Sequence, residues 1–172
     1  MSRDWKVRRV KSDEGARLRE LRLEALARAP KAFGSTLERE QGFAAEVWDG
    51  RATAGAEGLT SITVVAERWD RLVGMATGLT AHAEEQSFGP ILVGMFVAEG
   101  MRQRGIGEAL VESVKHWARS GGHDALNLWV VSVNAPAIAL YRRCGFVATG
   151  RSRPLAHTPE LVELHMVVDL AN

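Results

Sequence analysis

The chain has 172 residues, of which 46% are hydrophobic and 25% charged, and its formal net charge is +1. This length suffices for one domain with its own core, so residues 1–172 are expected to form a single domain. The near-neutral charge disfavours a general nucleic-acid binder, which would carry a strongly basic face. The single cysteine, Cys144, excludes an intrachain disulfide framework and a cysteine metal cluster, which favours a cytoplasmic location. Since no apolar run reaches about 18 residues, no membrane partner is predicted.

Along the first half of the chain, hydrophobic periodicity predicts the order β-α-α-β-β-β. The predicted elements are a strand over 5–10, a helix over 14–30, a short helix carrying Phe43, Val47 and Trp48, and strands over 61–68, 71–82 and 89–98. The predicted connections are a loop at 34–36, a mobile glycine-rich loop at 52–60, a tight turn at Trp69 and Asp70, and a turn at 83–87.

Along the second half of the chain, the same periodicity predicts the order α-β-α-β-β. The whole chain is therefore predicted to be a mixed α/β or α+β domain. The elements are a helix over 107–120, a strand over 124–133, a helix over 134–145, and strands over 146–152 and 161–170. The apolar stripe of the first of these helices is formed by Ile106, Leu110, Val114 and Trp117. The glycine pair at 121–122 is typical of a helix end. The segment 151–163 is predicted to be a hairpin loop.

The stretch MRQRGIGEAL, residues 101–110, places two glycines at the front of a predicted helix. A glycine costs about 1 kcal/mol relative to alanine inside a helix, so their presence needs a reason. At a helix start, unbonded N–H groups and the helix dipole favour an anion. Gly105 and Gly107 would let a diphosphate approach these amides, with Arg102 and Arg104 supplying positive charge at the rim. The alternative is a turn relaxed by glycine that binds nothing.

Two other phosphate-binding motifs do not fit this stretch. A P-loop requires a lysine and then a serine or threonine directly after its last glycine, and neither follows Gly107. A dinucleotide fingerprint requires a third glycine, but Leu110 stands in that position. It also requires an acidic residue at the end of the next strand, and the predicted strand over 124–133 has none there.

The two segments VAEGMRQRGIGEAL and NAPAIALYRRCGF, in this order, resemble the GNAT superfamily of N-acetyltransferases. The family motif is Gln or Arg, two residues, Gly, one residue, and Gly or Ala, and Arg102, Gly105 and Gly107 match it. The resemblance covers about residues 5–170. It implies a mixed, mostly antiparallel twisted sheet of about seven strands flanked by about four helices. It also implies acetyl-CoA as cosubstrate and no metal.

The resemblance further implies which residues hold acetyl-CoA. The strand residues Met95, Phe96 and Val97 would take its pantetheine arm in the manner of an added β-strand. The amides at its diphosphate would come from Gln103, Arg104, Gly105, Ile106, Gly107 and Glu108. Asn134 is assigned to the cofactor arm or to an ordered water, whereas the residues alone identify it as a helix cap.

The implied reaction is direct attack of a primary amine on the thioester in a ternary complex. A backbone N–H near Val97 would polarise the thioester carbonyl, and the resemblance assigns Tyr141 to protonate the leaving thiolate. The residues alone also allow Tyr141 to be a core aromatic with one wet edge. No covalent enzyme intermediate is required, so Cys144 need not be a nucleophile.

The general base is the point at which the sequence departs from the family. Some relatives carry a glutamate five residues before the asparagine, where this chain has Trp129, and the resemblance makes Trp129 a candidate residue of the acceptor pocket. Glu38 and Glu40 lie in a segment that relatives place beside the acceptor pocket, so they are candidate acceptor contacts or bases, unless they form a solvated helix start. A water chain is the other route for the proton. Arg151 and Arg153, in the loop predicted over the acceptor site, are either solvated or contacts for an anionic acceptor.

The leading hypothesis is therefore an acetyl-CoA-dependent N-acetyltransferase acting on a small-molecule or peptide amine. Candidate acceptors are a small metabolite, an antibiotic, a polyamine, an amino acid or a protein N-terminus. The alternatives are a non-catalytic acyl-CoA-binding sensor with the same fold and an unrelated nucleotide-binding domain. Because dimers are frequent among the relatives, a homodimer is possible.

Overall fold

The computed structural model describes residues 3–81 and 89–171. In chain order the elements are β1 (Lys6–Arg9), α1 (Gly15–Arg28), α2 (Leu37–Gln41), α3 (Ala45–Glu57), β2 (Ser61–Arg68), β3 (Arg71–Leu79), β4 (Ile91–Val97), α4 (Ile106–Ser120), β5 (Ala125–Val131), α5 (Ala135–Arg143), β6 (Val147–Leu155) and β7 (Thr158–Asp169). Single 3-10 turns at Pro30–Ala32 and Glu99–Met101 follow α1 and β4. The predicted turn at 83–87 and the end of the strand predicted to reach residue 82 lie outside the described residues.

The strands form one sheet in the order β1-β2-β3-β4-β5-β7-β6. All neighbouring strands are antiparallel except β4 and β5, which run parallel. The predicted mixed, mostly antiparallel sheet of seven strands is confirmed. The described residues contain five α-helices where about four were predicted, because the segment between α1 and β2 forms two helices.

Helices cover both faces of the sheet. The predicted stripe of α4 is buried against one face, where Gly78 of β3 lies so close that a Cβ on it would be 2.7 Å from the Trp117 ring. Helix α5 packs on this same face, which we call the α4 face. On the opposite face, called the α1 face, Leu18 and Leu21 of α1 pack with Met75 of β3. Burying each such side chain contributes about 1.5–3 kcal/mol, so the two clusters hold the sheet between the helices.

The segment 52–60 was predicted as a mobile loop, and this prediction is wrong. Helix α3 continues to Glu57 and ends at Gly58, which adopts a φ of +72°. Ala52 is buried, and a Cβ placed on Gly55 would lie 2.7 Å from the Thr63 Cβ on β2. The small residues therefore serve a close approach of helix to sheet, rather than a flexible connection.

The prediction of a hairpin loop over 151–163 is also wrong. Strand β6 extends to Leu155 and β7 begins at Thr158, so only two residues connect them. Pro154 is tolerated inside β6 because β6 is an edge strand. The tight turn predicted at Trp69 and Asp70 is confirmed, since both residues have a positive φ, as a two-residue hairpin turn requires. Within the described ranges, no helix is both long enough and apolar enough to span a lipid bilayer.

Two buried carboxylates, Glu14 and Glu67, share their arginine partners at the β1 edge of the sheet. The Arg8 guanidinium lies 2.8 Å from both Glu14 oxygens and 3.0 Å from Glu67 Oε1. Arg17 donates to both carboxylates as well. The hydrogen bonds from Arg8 lower the pKa of each carboxyl from 4.5 to about 2, against the opposing effect of burial.

We expect this network to make folding stability fall as the pH is lowered from about 5 to about 2. Because both pKa values lie below their unfolded values, the unfolded chain binds more protons in this window, and the stabilisation is complete only above it. Thermal unfolding midpoints measured at a series of pH values should fall more steeply for the wild type than for the double variant Glu14→Gln/Glu67→Gln. Equal slopes would contradict the assignment.

Candidate active site

The parallel strands β4 and β5 separate after a short contact. Among the residues that the structure describes, they pair only at Ile91 with Asn127 and at Leu92 with Leu128. Farther along β4, Ala98 still donates its N–H to Val73 of β3 at 2.9 Å. Since the backbone groups of an antiparallel strand alternate in direction, the N–H of Val97 points away from β3 and into the opening between β4 and β5. We call this opening the β4/β5 split.

A β-bulge lies in β4 directly before these residues. Thr77 of β3 pairs with Val93 of β4, and Met75 pairs with Phe96. Two residues along β3 therefore correspond to three residues along β4. Gly94, within the bulge, has a φ of +63°, a conformation that L side chains rarely adopt. The bulge re-aims the backbone at the middle of the sheet, where the split begins.

The loop before α4 presents backbone amides to solvent on the α4 side of the split. Gly105 caps α4 with a φ of +80°, and Gln103 has a φ of +59°. Within the described chain, the N–H groups of residues 103–107 have no hydrogen-bond acceptor. A Cβ on Gly105 would meet no atom within 4 Å, so the space in front of these amides is open. This geometry is that of an anion site at a helix N-terminus.

The second glycine of the motif has a different structural role from the first. A Cβ on Gly107 would lie 3.0 Å from Leu140 Cδ2 of α5 and 3.5 Å from Met95 Cε of β4. Gly107 therefore permits close packing of α4 against α5 and β4, which the sequence did not reveal. Its neighbour Ile106 buries its side chain in the core, so only its amide faces the loop.

Charged side chains around this loop are anchored in two ways. The Arg102 Nε donates to the Val97 carbonyl at 3.0 Å, which ties the loop to the end of β4. Glu108 accepts from Arg143 at 2.8 Å. Burial alone would raise the pKa of Glu108, but the hydrogen bond and charge of Arg143, together with a hydrogen bond from the Glu108 backbone N–H, outweigh burial and lower the pKa. Arg104 is exposed beside them.

Helix α5 positions the two residues of the second motif. Asn134 caps the helix, since its Oδ1 accepts from the Ala137 N–H at 3.3 Å. Tyr141 is buried, with its ring edge-on to Phe146 at 5.8 Å, and its hydroxyl makes no hydrogen bond within the described chain. Burial, with a smaller effect of Cys144, raises the pKa of Tyr141, so its hydroxyl keeps its proton at physiological pH. Burial likewise raises the pKa of Cys144 to about 11, which disfavours a thiolate nucleophile.

A cavity of about 1030 Å³ opens on the other side of the split, on the α1 face. Its floor is formed by β2 to β5, including Met75, Thr77 and Gly94, and its walls by α1, α3 and the β6–β7 hairpin. Its aromatic lining residues are Phe33, Phe43, Trp48 and Trp129. Its charged lining residues, among those described, are Arg22, Arg39, Arg51, Arg153, Glu40 and Glu163.

Of the two glutamates predicted near the acceptor, only Glu40 lines the cavity. It is 2% exposed and accepts from Arg22 Nη2 at 2.9 Å and from Arg51 Nη1 at 3.1 Å. Burial alone would raise the pKa of Glu40, but the hydrogen bonds and charges of the two arginines outweigh it and lower the pKa. A carboxylate held in this way is a poor proton acceptor. Glu38 is exposed on α2 and does not line the cavity, so its prediction as an acceptor contact is not supported.

Trp129 lines the cavity, as predicted, and is held between two partners. Arg153 lies 4.2 Å from the centroid of its ring, and the His165 ring centroid lies 5.0 Å away. Arg153 also donates its Nε to Glu163 at 2.9 Å. His165 is buried and bonded to Thr149 and Asn127, in agreement with a structural role.

Four cavity residues, Arg22, Trp48, Arg51 and Glu163, were missed at the level of sequence. One of them carried a signal: Arg22 stands between Leu18 and Leu26, four residues from each, on the buried side of α1. An arginine in an apolar helical stripe indicates a buried partner. The other three are brought to the cavity only by helix packing and strand pairing.

Comparisons with known proteins show the family and the fold of the chain. The model of the acetyltransferase (GNAT) family matches residues 22–146. The chain belongs to the GNAT family. The PaiA N-acetyltransferase of Thermoplasma acidophilum, solved in complex with coenzyme A, shares the fold, with a TM-score of 0.73 at 14% identity over 98% of this chain and 99% of that one.

Two curated relatives match shorter parts of this GNAT chain. Streptothricin acetyltransferase of Streptomyces lavendulae is 48% identical over 54 residues, which cover 31% of the chain and 29% of the relative. N-acetyltransferase 8 of Homo sapiens is 34% identical over 104 residues, which cover 60% of the chain and 45% of the relative. The chain thus spans less than half the length of either curated relative.

Proposed function

We propose that this GNAT chain is a single-domain acetyl-CoA-dependent N-acetyltransferase that acetylates a primary amine. The observation that carries the proposal is the β4/β5 split, which connects two halves of a site. On the α4 face, the split adjoins the unbonded amides of residues 103–107. On the α1 face, it adjoins a cavity large enough for an acceptor. The cytoplasmic location, the absence of a metal and the homodimer remain predictions.

The residues present fit the cosubstrate. Acetyl-CoA, when bound, supplies an acetyl group activated as a thioester. The amides of residues 103–107, with Arg102 and Arg104 at the rim, would hold its diphosphate. The backbone of β4 from Met95 to Val97 has no strand partner on the side of the split within ranges 3–81 and 89–171, and it would take the pantetheine arm as an added strand. Asn134, at the start of α5, remains a candidate contact for the same arm.

One backbone N–H and one side-chain hydroxyl of the chain would act on the thioester. The Val97 N–H points into the split, where it would polarise the thioester carbonyl. Tyr141, protonated at physiological pH, would donate its hydroxyl proton to the leaving sulfur as the C–N bond forms and the C–S bond breaks. Since Glu40 is committed to two arginines, the amine proton would leave to water in the cavity. Tyr141 would regain a proton from solvent at the end of the cycle.

A steady-state assay of thiol release from acetyl-CoA with a panel of primary amines tests this function. We expect amine-dependent release that follows normal saturation in both substrates. Binding of coenzyme A without turnover of any amine would instead identify an acyl-CoA sensor. Protection against thermal unfolding by ATP or NAD, but not by coenzyme A, would indicate an unrelated nucleotide-binding domain.

A further inference from the structure

The charge of the cavity limits the acceptors that it can hold. Its described lining carries four arginines against two glutamates. Both carboxylates are already paired, Glu40 with Arg22 and Arg51, and Glu163 with Arg153. The lining therefore has an excess of positive charge. A cationic acceptor such as a polyamine would enter without a carboxylate to receive it, at an electrostatic cost.

The Arg22 guanidinium is fixed in place by two of its nitrogens, and its third nitrogen makes no hydrogen bond to the described residues. Its Nε and Nη2 both donate to Glu40, and its guanidinium lies 4.8 Å from the Phe33 ring centroid. In the described chain, Nη1 of Arg22 makes no hydrogen bond. A Cβ placed on Gly94 would lie 3.6 Å from this Nη1, so the unused donors lie above the β4 bulge. The fixed guanidinium is thus prepared to bind an oxyanion without loss of side-chain freedom.

Trp48 supplies a second, independent indication of a ligand. Its side chain is 1% exposed and lines the cavity, yet its indole Nε1–H has no hydrogen-bond acceptor. An indole N–H is a donor only, and a buried donor left unsatisfied costs about 1–3 kcal/mol. Arg51, which also bonds Glu40, lies 4.8 Å from the Trp48 ring centroid. An acceptor oxygen in the cavity would satisfy this donor beside the arginines.

We propose that Arg22, Arg51 and Trp48 form a carboxylate subsite, and that the acetyl acceptor is an α-amino carboxylate with an apolar side chain. This inference rests on the proposed N-acetyltransferase function.

The position of the subsite sets the spacing between the two groups of the acceptor. Gly94, below Arg22 Nη1, precedes by only three residues Val97, whose N–H points to the thioester position. Three residues of strand span at most about 10 Å, so a carboxylate on Arg22 and the reacting amine fit within one small amino acid. The aromatic lining at Phe33, Phe43 and Trp129 provides an apolar surface for the side chain of such a molecule.

The first experiment compares common L-amino acids with their own carboxamides in the thiol-release assay, with spermidine as the cationic arm. Each rate is divided by the unprotonated fraction of the amine, since the carboxamides have a lower amine pKa. Loss of a charge-assisted hydrogen bond lowers kcat/KM by about 10- to 100-fold. We therefore expect the apolar amino acids to exceed their carboxamides by at least about 10-fold, and spermidine to be the poorest acceptor.

The second experiment removes one arginine of the subsite, Arg22. Arg22→Gln alone leaves Glu40 with one cation and can unfold the helix pair, so the double variant Arg22→Gln/Glu40→Gln removes both charges together. This variant should reduce the ratio of carboxylate to carboxamide kcat/KM by about 10-fold. Trp48→Phe, which removes the N–H together with part of the indole ring, should reduce the preference several-fold. Arg19→Gln, an exposed arginine one turn away on α1, is the matched control and should keep the wild-type ratio.

The outcomes separate the acceptor class from the activity itself. Turnover of carboxamides or spermidine at rates equal to those of the amino acids, with acetyl-CoA consumed normally, overturns the carboxylate subsite and leaves the acetyltransferase intact. An unchanged carboxylate preference in the double variant overturns the role of Arg22. If coenzyme A fails to bind, or no amine is turned over, the proposed function itself fails, and the acceptor assignment fails with it.

Discussion

Replacement of Gly105 by valine is expected to raise the KM for acetyl-CoA by about 100-fold. This increase corresponds to the loss of two charge-assisted hydrogen bonds to the diphosphate. The Gly105 amide stands among the unbonded amides of residues 103–107, in front of which the space is open. A valine there would place methyl groups where the diphosphate must approach. It would also oppose the φ of +80°. The KM from initial rates at a saturating amine concentration provides the measurement.

The control for this variant is Gly122→Val, at the opposite end of α4. Gly122 has a φ of +81° and, like Gly105, no atom within 4 Å of a built Cβ. Both substitutions should lower stability by a similar amount, about 1–2 kcal/mol for the left-handed backbone. Only Gly105→Val should affect acetyl-CoA. If both variants raise the KM equally, the effect is one of backbone strain and the diphosphate assignment is wrong.

Tyr141→Phe is expected to lower kcat by about 100-fold while the dissociation constant for acetyl-CoA stays within about 2-fold, as loss of a general acid predicts. Phenylalanine keeps the ring that packs edge-on to Phe146, so the core of α5 is retained. The substitution removes only the hydroxyl, which makes no hydrogen bond in the described chain. Pre-steady-state and steady-state thiol release give kcat for the chemical step, and calorimetry gives the dissociation constant.

Stability serves as the control for this second variant. Because the hydroxyl makes no hydrogen bond to the described residues, its removal should not lower the unfolding temperature. A lower melting point together with a lower kcat would indicate altered packing. A kcat within about 2-fold of wild type would remove Tyr141 from the acid role.

The sequence predicted best those features that depend on residues close together in the chain. The glycine motif, the cap at Asn134 and the stripe of α4 each lie within one turn or one helix, so residue spacing alone places them. It failed where small residues have two uses. The alanines and glycines of 52–57 predict a loop, although in the structure they bring α3 onto β2. The motif places Gly107 at the phosphate, although this glycine also makes room for Leu140.

The cavity on the α1 face could be predicted only in part, because most of its residues are distant in sequence. Arg22 meets Glu40 through the packing of α1 against α2, and Trp129 meets Arg153 only through the pairing of β5, β7 and β6. Single residues in such a set look like ordinary surface charges in the sequence. The register of the sheet and the angles between helices bring them together, and neither follows from local periodicity.

Isothermal titration calorimetry of the chain with coenzyme A tests the central claim most directly. If the split holds the nucleotide-tailed thiol against the amides of residues 103–107, the titration should show saturable binding of about one coenzyme A per chain that is strongly weakened in Gly105→Val but not in Gly122→Val. The absence of binding to the wild type, or equal binding to both variants, would contradict it.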